Sequence, residues 1–348
     1  MPQRFQHLAT LRLILAVLVI ISHAYPLTAN PEPIAAMTHI VSAGALAVIM
    51  FFFISGFLVT MSWQKLQNPI AFTIHRVFRI WPALVIALLF SAGVGVWVSS
   101  SPSSQAIESA WHYFWGNLPL IQGIHFQISG AFSEQPNTSI NGSLWTLEWE
   151  VFCYIALLAL GMTGLLKHNP IAKLLAITIM AVIFITAQTQ LSIFRNSADV
   201  AMMLFSFALG ALSYSLFLEI GGRILWKLYF VLAVIFAMSG SIFLPLAYIF
   251  AAAGLVALIS FDNLLRPGDL KLDLSYGVYI FAFPVQQLVV HLNPDVTPWQ
   301  NFFITLPIVL IMAYLSWTLV EKRFIGYGKT LGNLVKKSPQ QADTSHSK

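Results

Sequence analysis

The stretch "LRLILAVLVIISHAY", residues 11–25, decides the fold class of this chain. It is almost wholly aliphatic, yet it carries Arg12 near one end and His23 near the other. Their separation corresponds to about three turns at ~3.6 residues per turn, so both residues share one helix face. The rise between them is roughly 16 Å at ~1.5 Å per residue. The stretch therefore predicts a membrane helix that shows a cation and an imidazole at two depths.

The composition of the whole chain indicates the same fold class. Its 348 residues are 58% hydrophobic and 9% charged, whereas soluble domains contain about 25% charged residues. With a single cysteine, Cys153, the chain has no intramolecular disulfide and no Cys-based metal site is indicated. We therefore predict an all-α, polytopic integral membrane protein.

Hydrophobic runs along the chain predict the number of membrane helices. Runs of about 17 to 25 apolar residues can cross a bilayer. We expect a membrane domain over 1–325 and a basic and polar cytoplasmic tail over 326–348 that is partly disordered. About ten transmembrane helices are predicted from the runs, over 9–27, 41–63, 80–98, 144–163, 172–188, 199–218, 224–240, 242–260, 274–292 and 300–320.

The positions of Lys and Arg predict the orientation of these helices. With a cytoplasmic N-terminus, all of the 18 basic residues except Arg195 fall on the inner side. We therefore predict an N-in, C-in topology, which explains the net charge of +5 without a nucleic-acid partner. A cleaved signal peptide ending near His23 is the alternative. Arg12 would then interrupt its apolar core, and the remaining spans would be odd in number.

Two polar residues lie at similar estimated depths in different predicted spans. His23 is about five residues, roughly 7 Å, from the outer end of the first span, and Glu150 is about six residues, roughly 9 Å, into the fourth. A carboxylate can hold an imidazole in one tautomer and stabilise its protonated form. We therefore predict a base–orienter pair of His23 and Glu150. A plain interhelical hydrogen bond from His23 is the alternative.

The stretch "NGSLWTLEWEVFCY", residues 141–154, indicates which glutamate faces the interior. Glu148 and Glu150 differ by about 200° around a helix, so they cannot point the same way. Glu150 falls near one stripe with Ser143 and Tyr154, which favours Glu150 for an interior site. The alternative is that both glutamates are solvated at a helix end.

Basic residues on the predicted cytoplasmic side suggest an anion site. Arg76 and Arg79, in "HRVFRIWP" just before the third predicted span, are three positions apart and share a helix face. Paired arginines bind phosphate, although the positive-inside rule explains them as well. Arg12 has two interpretations of the same kind, phosphate binding and snorkelling to lipid headgroups.

Small and imidazole side chains elsewhere in the sequence are candidates for other sites. Ser55 and Gly56, in "FFFISGF", allow a second helix or a ligand to approach closely, and helix packing is the simpler interpretation. In the outer loop 99–143, His112 and His125 have no further ligand at a metal-binding spacing. We predict no metal site.

Taken together, these motifs resemble the membrane-bound acyltransferase-3 family of bacterial O-acyltransferases. Arg12 and His23 match its R-x10-H pattern. "FFFISGF" and "RVFR" match its aromatic-aromatic-x-x-S-G and R-x-x-R elements. "SLWTLEWEVFCY" resembles its "SLWSLxxE…Y" element, which aligns Glu150 and Tyr154 with the family glutamate and tyrosine.

Two later elements extend the resemblance over 10–325, with departures. "SYGVYIFAFPV" (275–285) is similar to "SYxLYLxHxP", but Ala282 stands where many members have histidine. "VEKRF" (320–324) is similar to "VEKPF", with Arg323 in place of the usual proline. We expect no fused periplasmic hydrolase-like domain. These departures leave the acceptor open.

The resemblance implies an enzyme that moves an acyl group, usually acetyl from acetyl-CoA, to a hydroxyl of an envelope glycan or glycolipid such as O-antigen, capsule or exopolysaccharide. It implies the bacterial inner membrane, with lipids as neighbours, acyl-CoA as the donor substrate and no bound cofactor. His23 would be the base, oriented by Glu150. The residues assigned to the CoA phosphates are Arg12, Arg76 and Arg79. The candidates to hold the oxyanion or the substrate are Ser55, Ser143, Tyr154 and Tyr276.

Two other function classes stay open on the sequence. A glycolipid transporter or flippase would also need many spans with buried charge, but it would not release CoA from a thioester. A membrane protease needs an activated serine or a metal, and Ser55 has no obvious partner in a chain without H-E-x-x-H. If acyl transfer occurs, direct attack on the thioester and an acyl-His intermediate are both open.

Overall fold

The structure, a computed structural model, describes residues 7–164, 197–261 and 272–345. Every regular element in these ranges is helical. The predicted span 172–188 and the basic residue Arg195 lie outside the described residues.

Twelve α-helices account for most of the described residues. Short 3₁₀ turns, Gly142–Leu144 and Ser241–Phe243, precede the helices that begin at Trp145 and Leu244. A π turn, Trp317–Glu321, joins the helix that ends at Ser316 to the helix that begins at Lys322. In chain order the helices are α1 His7–Leu27, α2 Pro33–Thr38, α3 Ala43–Leu66, α4 Pro69–Trp97, α5 Ser103–Asn117, α6 Trp145–Met162, α7 Ser197–Ile220, α8 Gly222–Met238, α9 Leu244–Phe261, α10 Ser275–Leu292, α11 Pro298–Ser316 and α12 Lys322–Ser345.

The predicted all-α membrane fold is confirmed. Within the described ranges, seven helical segments are long and apolar enough to cross a membrane. The predicted spans 224–240 and 274–292 coincide with α8 and α10, of 17 and 18 residues, which are not among the seven. The count of ten and the N-in, C-in orientation stay predictions. The seven segments are His7–Leu27, Ala43–Leu66, Pro69–Trp97, Gly142–Met162, Ala198–Ile220, Ser241–Phe261 and Pro298–Lys336.

The chain divides into two compact units. Helices α1, α3 and α6 each contribute residues to both. The first unit is drawn from Met1–Val19, Glu32–Met61 and Ile155–Asp273, and the second from Ile20–Pro31, Ser62–Tyr154 and Leu274–Lys348.

In the first unit, α3 and α7 touch backbone to backbone. A Cβ atom on Gly56 would overlap the carbonyl oxygen of Phe207, and one on Gly210 would overlap the carbonyl oxygen of Phe53. The Ser206 hydroxyl also donates a hydrogen bond of 2.7 Å to a backbone carbonyl of α3. Small residues allow this approach in membrane helices. Gly56 therefore serves helix packing, which was the simpler interpretation of "FFFISGF".

In the second unit, α4 begins earlier than the sequence suggested. Asn68 caps the helix by accepting a hydrogen bond of 2.9 Å from the Ala71 amide, and Pro69 occupies the first helical position. α4 thus begins eleven residues before the predicted span of 80–98. Arg76 and Arg79 lie inside α4, three positions apart as predicted.

The C-terminal helix α12 packs along the first turns of α4. A Cβ on Gly328 would lie 2.7 Å from Phe78 Cβ, and one on Gly332 would lie 2.8 Å from His75 Nε2. Within the predicted tail, α12 continues to Ser345. The expectation that the tail is partly disordered stays a prediction. The two glycines, one turn apart, give the helix a packing face that a purely compositional argument overlooks.

Candidate functional site

Seven of the nine candidate residues belong to the second unit. Arg12 and Ser55 belong to the first. The candidates in the second unit are His23, Arg76, Arg79, Ser143, Glu150, Tyr154 and Tyr276.

His23 lies in the last two turns of α1, and its side chain is half-buried. The ring of Phe283 meets the imidazole in a T-shaped contact, with centroids 5.3 Å apart and planes at 80°. Its Nδ1 atom is buried and has no hydrogen-bond partner in the part of the chain that the structure describes. The predicted orientation by Glu150 is therefore not made through this atom.

A buried amide pair fixes the backbone of α1 one turn before His23. Gln286 Nε2 donates hydrogen bonds of 2.9 Å to the Ile20 carbonyl and to Asn301 Oδ1. Asn301 Nδ2 donates in return to the Gln286 carbonyl at 3.1 Å. Both amide side chains are fully buried. These hydrogen bonds tie α1 to α10 and α11. Gln286 Oε1 itself is buried and has no hydrogen-bond partner among the described residues.

Glu150 and Tyr154 form a pair on one face of α6. The Tyr154 hydroxyl donates a hydrogen bond of 2.5 Å to Glu150 Oε1. The Arg76 guanidinium lies 5.6 Å from the centroid of the Tyr154 ring and 5.7 Å from that of Phe72. It also donates to Ser62 Oγ at 3.4 Å. The predicted stripe of Glu150 and Tyr154 is thus present, and it faces Arg76.

Arg76 is held by aromatic faces and by the negative charge of Glu150, which lies close enough to interact with it. Its Nε atom is buried and has no hydrogen-bond partner among the described residues. A buried N–H without a partner carries the cost of losing its hydrogen bonds to water, and no protein hydrogen bond compensates for it. Arg76 therefore keeps a donor that an anionic group can occupy.

Arg79, one turn further along α4, faces a carboxylate instead. Its Nη1 atom lies 3.9 Å from Glu321 Oε2, and its guanidinium is 5.9 Å from the centre of the Tyr276 ring. Glu321 is 1% exposed, and its Oε1 accepts a hydrogen bond of 2.9 Å from Ser316. The Tyr276 hydroxyl donates to the Ile80 carbonyl at 3.0 Å. The two arginines thus differ in how their charge is balanced.

Ser143 has an uncommitted hydroxyl next to the start of α6. Its side chain is 1% exposed, and its Oγ has no hydrogen-bond partner among the residues described. Its backbone N–H donates to Asn141 Oδ1 at 3.1 Å, and its carbonyl accepts from Thr146 at 3.3 Å. The backbone is fixed on both sides while the hydroxyl stays available, as a binding group needs.

The two candidates of the first unit have other contacts. Arg12 forms an ion pair of 3.3 Å with Asp273, which sequence reasoning did not single out. Ser55 is half-buried on α3 beside the packing residue Gly56. Within the described ranges, no cluster of three or more His, Cys, Asp or Glu side chains could hold a metal ion.

Several residues that shape the site escaped the sequence reasoning. Glu321 carried a readable signal, because an acidic residue at the end of an apolar run is unusual in a membrane helix. Gln286 carried a similar signal, because a polar amide inside an apolar run is also unusual in a membrane helix. Phe283 carried none, since a phenylalanine in an apolar helix is ordinary. Its role comes only from the neighbours that folding brings to it.

Known proteins match the chain over nearly its full length. A family model described as an acyltransferase domain matches residues 7–321. An O-acetyl transferase of Shigella phage Sf6 is 30% identical over 345 residues, which cover 91% of this chain and 95% of the relative. Nodulation protein 10 of Rhizobium leguminosarum bv. viciae is 26% identical over 90% of this chain and 91% of that protein. No solved structure gives a significant match. The chain therefore belongs to the acyltransferase-3 family, and it is a membrane-spanning transferase of acyl groups other than amino-acyl groups.

Proposed function

We propose that this O-acyltransferase takes an acetyl group from cytoplasmic acetyl-CoA and transfers it to a hydroxyl of a cell-envelope glycan or glycolipid in the bacterial inner membrane. The observation that carries the proposal is that three residues of the family motifs in the second unit each have a buried polar atom without a hydrogen-bond partner among the described residues: Arg76 Nε, His23 Nδ1 and Ser143 Oγ. Other buried atoms of this unit, such as Ser91 Oγ and Thr305 Oγ1, also have none there. Buried polar atoms of folded proteins are usually hydrogen-bonded, so three such atoms on motif residues suggest a substrate site.

The donor is assigned to the basic end of α4. CoA carries several phosphates, and arginine binds phosphate through charge-assisted, directional hydrogen bonds. Arg76 supports this assignment best because its Nε is uncommitted. Arg79 adds positive charge one turn away, although Glu321 balances part of it. The assignment of Arg12 to the same phosphates is weaker, since Asp273 already pairs with it.

The chemical step is assigned to His23. The acceptor hydroxyl loses its proton to the imidazole as its oxygen attacks the thioester carbonyl carbon. The tetrahedral intermediate then expels the CoA thiolate, which takes a proton from the imidazolium. In the alternative route an imidazole nitrogen attacks the thioester carbonyl carbon and expels the CoA thiolate. The acceptor oxygen then attacks the acyl-His, the imidazole is released, and the acceptor proton passes to the thiolate.

Among the oxyanion candidates, the hydrogen bonds favour Ser143. The Tyr154 hydroxyl donates to Glu150, and the Tyr276 hydroxyl donates to a carbonyl of α4, so both protons are already engaged. A hydroxyl has only one proton to donate. Ser143 Oγ has no acceptor among the described residues, so its proton is available for a developing oxyanion. Ser55 stays a candidate from the sequence alone.

The deciding experiment measures thioester turnover. Purified protein in proteoliposomes receives acetyl-CoA with and without a lipid-linked or free envelope glycan, and released CoA is measured with a thiol reagent. We expect CoA release that depends on the acceptor, with ester-linked acetyl appearing on the glycan. A glycolipid transporter would move the glycan and release no CoA, which would refute the proposal. Comparing ester-linked acetyl on O-antigen, capsule and exopolysaccharide after gene deletion would identify the acceptor.

Replacing Arg76 with glutamine should raise the KM for acetyl-CoA by roughly tenfold or more, because a lost charge-assisted hydrogen bond costs about 1.5–3 kcal/mol. The preference among acceptors should not change. The measurement is initial CoA release as a function of acetyl-CoA concentration. An unchanged KM would indicate that Arg76 does not bind the donor and that the positive-inside rule alone explains its position.

Replacing Arg79 with glutamine should mainly lower stability. Removing one partner of a buried ion pair typically costs about 3–5 kcal/mol, because the other charge stays buried and unpaired. The Glu321→Gln change should partly restore the melting temperature of the Arg79→Gln protein in detergent. Arg76→Gln serves as the comparison, and Glu321→Gln should give it no rescue. Equal melting temperatures for the single and the double variants of Arg79 would contradict this.

A further inference from the structure

The imidazole of His23 is positioned by an aromatic ring. Phe283 of α10 presents its ring at 80° to the imidazole, with a centroid distance of 5.3 Å. The buried Nδ1 has no hydrogen-bond partner in the described ranges. A catalytic imidazole needs a fixed orientation, which a hydrogen-bonded carboxylate often supplies. Here the imidazole contacts the ring of Phe283, which is 4% exposed and packed in the core.

The position of the Phe283 ring depends on Gly142. A Cβ atom on Gly142 would lie 2.6 Å from Cε2 and 2.8 Å from Cζ of that ring. Gly142 is not among the residues with a positive φ angle. A left-handed backbone therefore does not explain the glycine, and the three atoms nearest to a Cβ here all belong to the Phe283 ring.

A proline-dependent hydrogen bond holds Gly142 against α10. Pro284 has no N–H, so the carbonyl of Ile280 loses its usual partner within the helix. The Asn141 side chain, which is buried, donates a hydrogen bond of 2.8 Å to that carbonyl. Because Asn141 directly precedes Gly142, the same bond fixes the glycine beside Phe283. Phe283 thus supplies the ring, and Pro284 leaves the Ile280 carbonyl free to accept the hydrogen bond that holds Asn141 and Gly142 beside that ring.

We propose that Phe283 is a positioning residue for His23, and that Gly142 is required because a side chain there displaces the Phe283 ring that contacts the imidazole. This inference rests on the proposed catalytic role of His23. A displaced imidazole slows the chemical step, since a misplacement of about 1 Å can cost roughly 10²-fold in rate. Donor binding at Arg76 is not affected, so the loss falls on kcat and not on the KM for acetyl-CoA.

The test uses four variants: Gly142→Ala, Phe283→Leu, the two combined, and Gly93→Ala. Gly93 is the matched control, because a Cβ there has open space within 4 Å. We expect Gly142→Ala to lower kcat about tenfold or more, by the positioning argument above, with the KM for acetyl-CoA within about twofold. Phe283→Leu alone should also lower kcat, because the imidazole loses its contact with the ring. The double variant should be no slower than Phe283→Leu, because leucine lacks the ring atoms that the new methyl group meets. Gly93→Ala should behave as the parent protein.

A second readout does not depend on turnover. The rate at which diethylpyrocarbonate modifies His23, followed by mass spectrometry of the peptide that contains it, reports the exposure and packing of the imidazole. This rate should change in Gly142→Ala and in Phe283→Leu, and the double variant should match Phe283→Leu. An unchanged modification rate in Gly142→Ala, or a Phe283→Leu protein with the parent kcat, overturns the positioning role. If the modification rate follows the expected pattern while a His23→Ala protein stays active, positioning stands and the proposed catalytic role fails.

Discussion

Replacing His23 with alanine is expected to abolish acyl transfer while the protein still inserts and folds. The imidazole is the group assigned to take the acceptor proton or to carry the acyl group, and alanine can do neither. The cavity left by the ring is small and adjoins Phe283, so folding should survive. Acceptor-dependent CoA release in proteoliposomes at matched protein levels measures the effect.

His112→Ala is the matched control for this experiment, because His112 is exposed on α5. It should keep the parent activity. Substantial CoA release and glycan acetylation by a well-expressed His23→Ala protein would refute both roles of the imidazole. Brief exposure of the parent protein to labelled acetyl-CoA without acceptor distinguishes direct attack on the thioester from the acyl-His route. Only the acyl-His route leaves label on His23.

Replacing Glu150 with glutamine is expected to lower turnover by about 10²–10⁴-fold, the usual worth of positioned acid–base catalysis. Glutamine keeps an oxygen that can accept the Tyr154 hydrogen bond, so the loss comes from the negative charge beside Arg76. That charge also stabilises an imidazolium at His23 if the predicted pair forms during the reaction. The measurement is again the rate of CoA release.

Glu148→Gln should cost far less. Glu148 Oε1 accepts a hydrogen bond of 2.9 Å from the Gly123 amide, which ties it to the segment between α5 and α6. Glutamine can accept the same bond. An inactive Glu148→Gln protein together with an active Glu150→Gln protein would overturn the assigned helix face, the family alignment and the predicted pair.

Local periodicity predicted what depends on a single helix. The placement of Arg12 and His23 on one continuous helix follows from an aliphatic run, and the shared face of Glu150 and Tyr154 follows from their four-residue spacing. The hydrogen bond between those two side chains was not predicted. The early start of α4 was also readable, since Asn68 followed by a proline is a helix-start signal. The span was instead placed by hydropathy alone.

Contacts between helices could not be predicted in the same way. Arg79 and Glu321 lie far apart in the sequence, and no periodicity links them. The ring of Phe283 contacts His23 and also lies against Gly142, which only the fold brings together. Periodicity along single helices selected the candidate residues, whereas packing determines what holds those residues in place.

The π turn between α11 and α12 affects how relatives should be aligned with this chain. The amide of Lys322 bonds to the carbonyl of Trp317, five residues back, so this turn contains one residue more than an α-helical turn. The helices on its two sides are therefore out of phase by one position. A homologue with an unbroken α-helix here would need a single-residue gap at this turn. Without that gap, Glu321 or the Gly328 and Gly332 pair would be compared with residues on a different helix face.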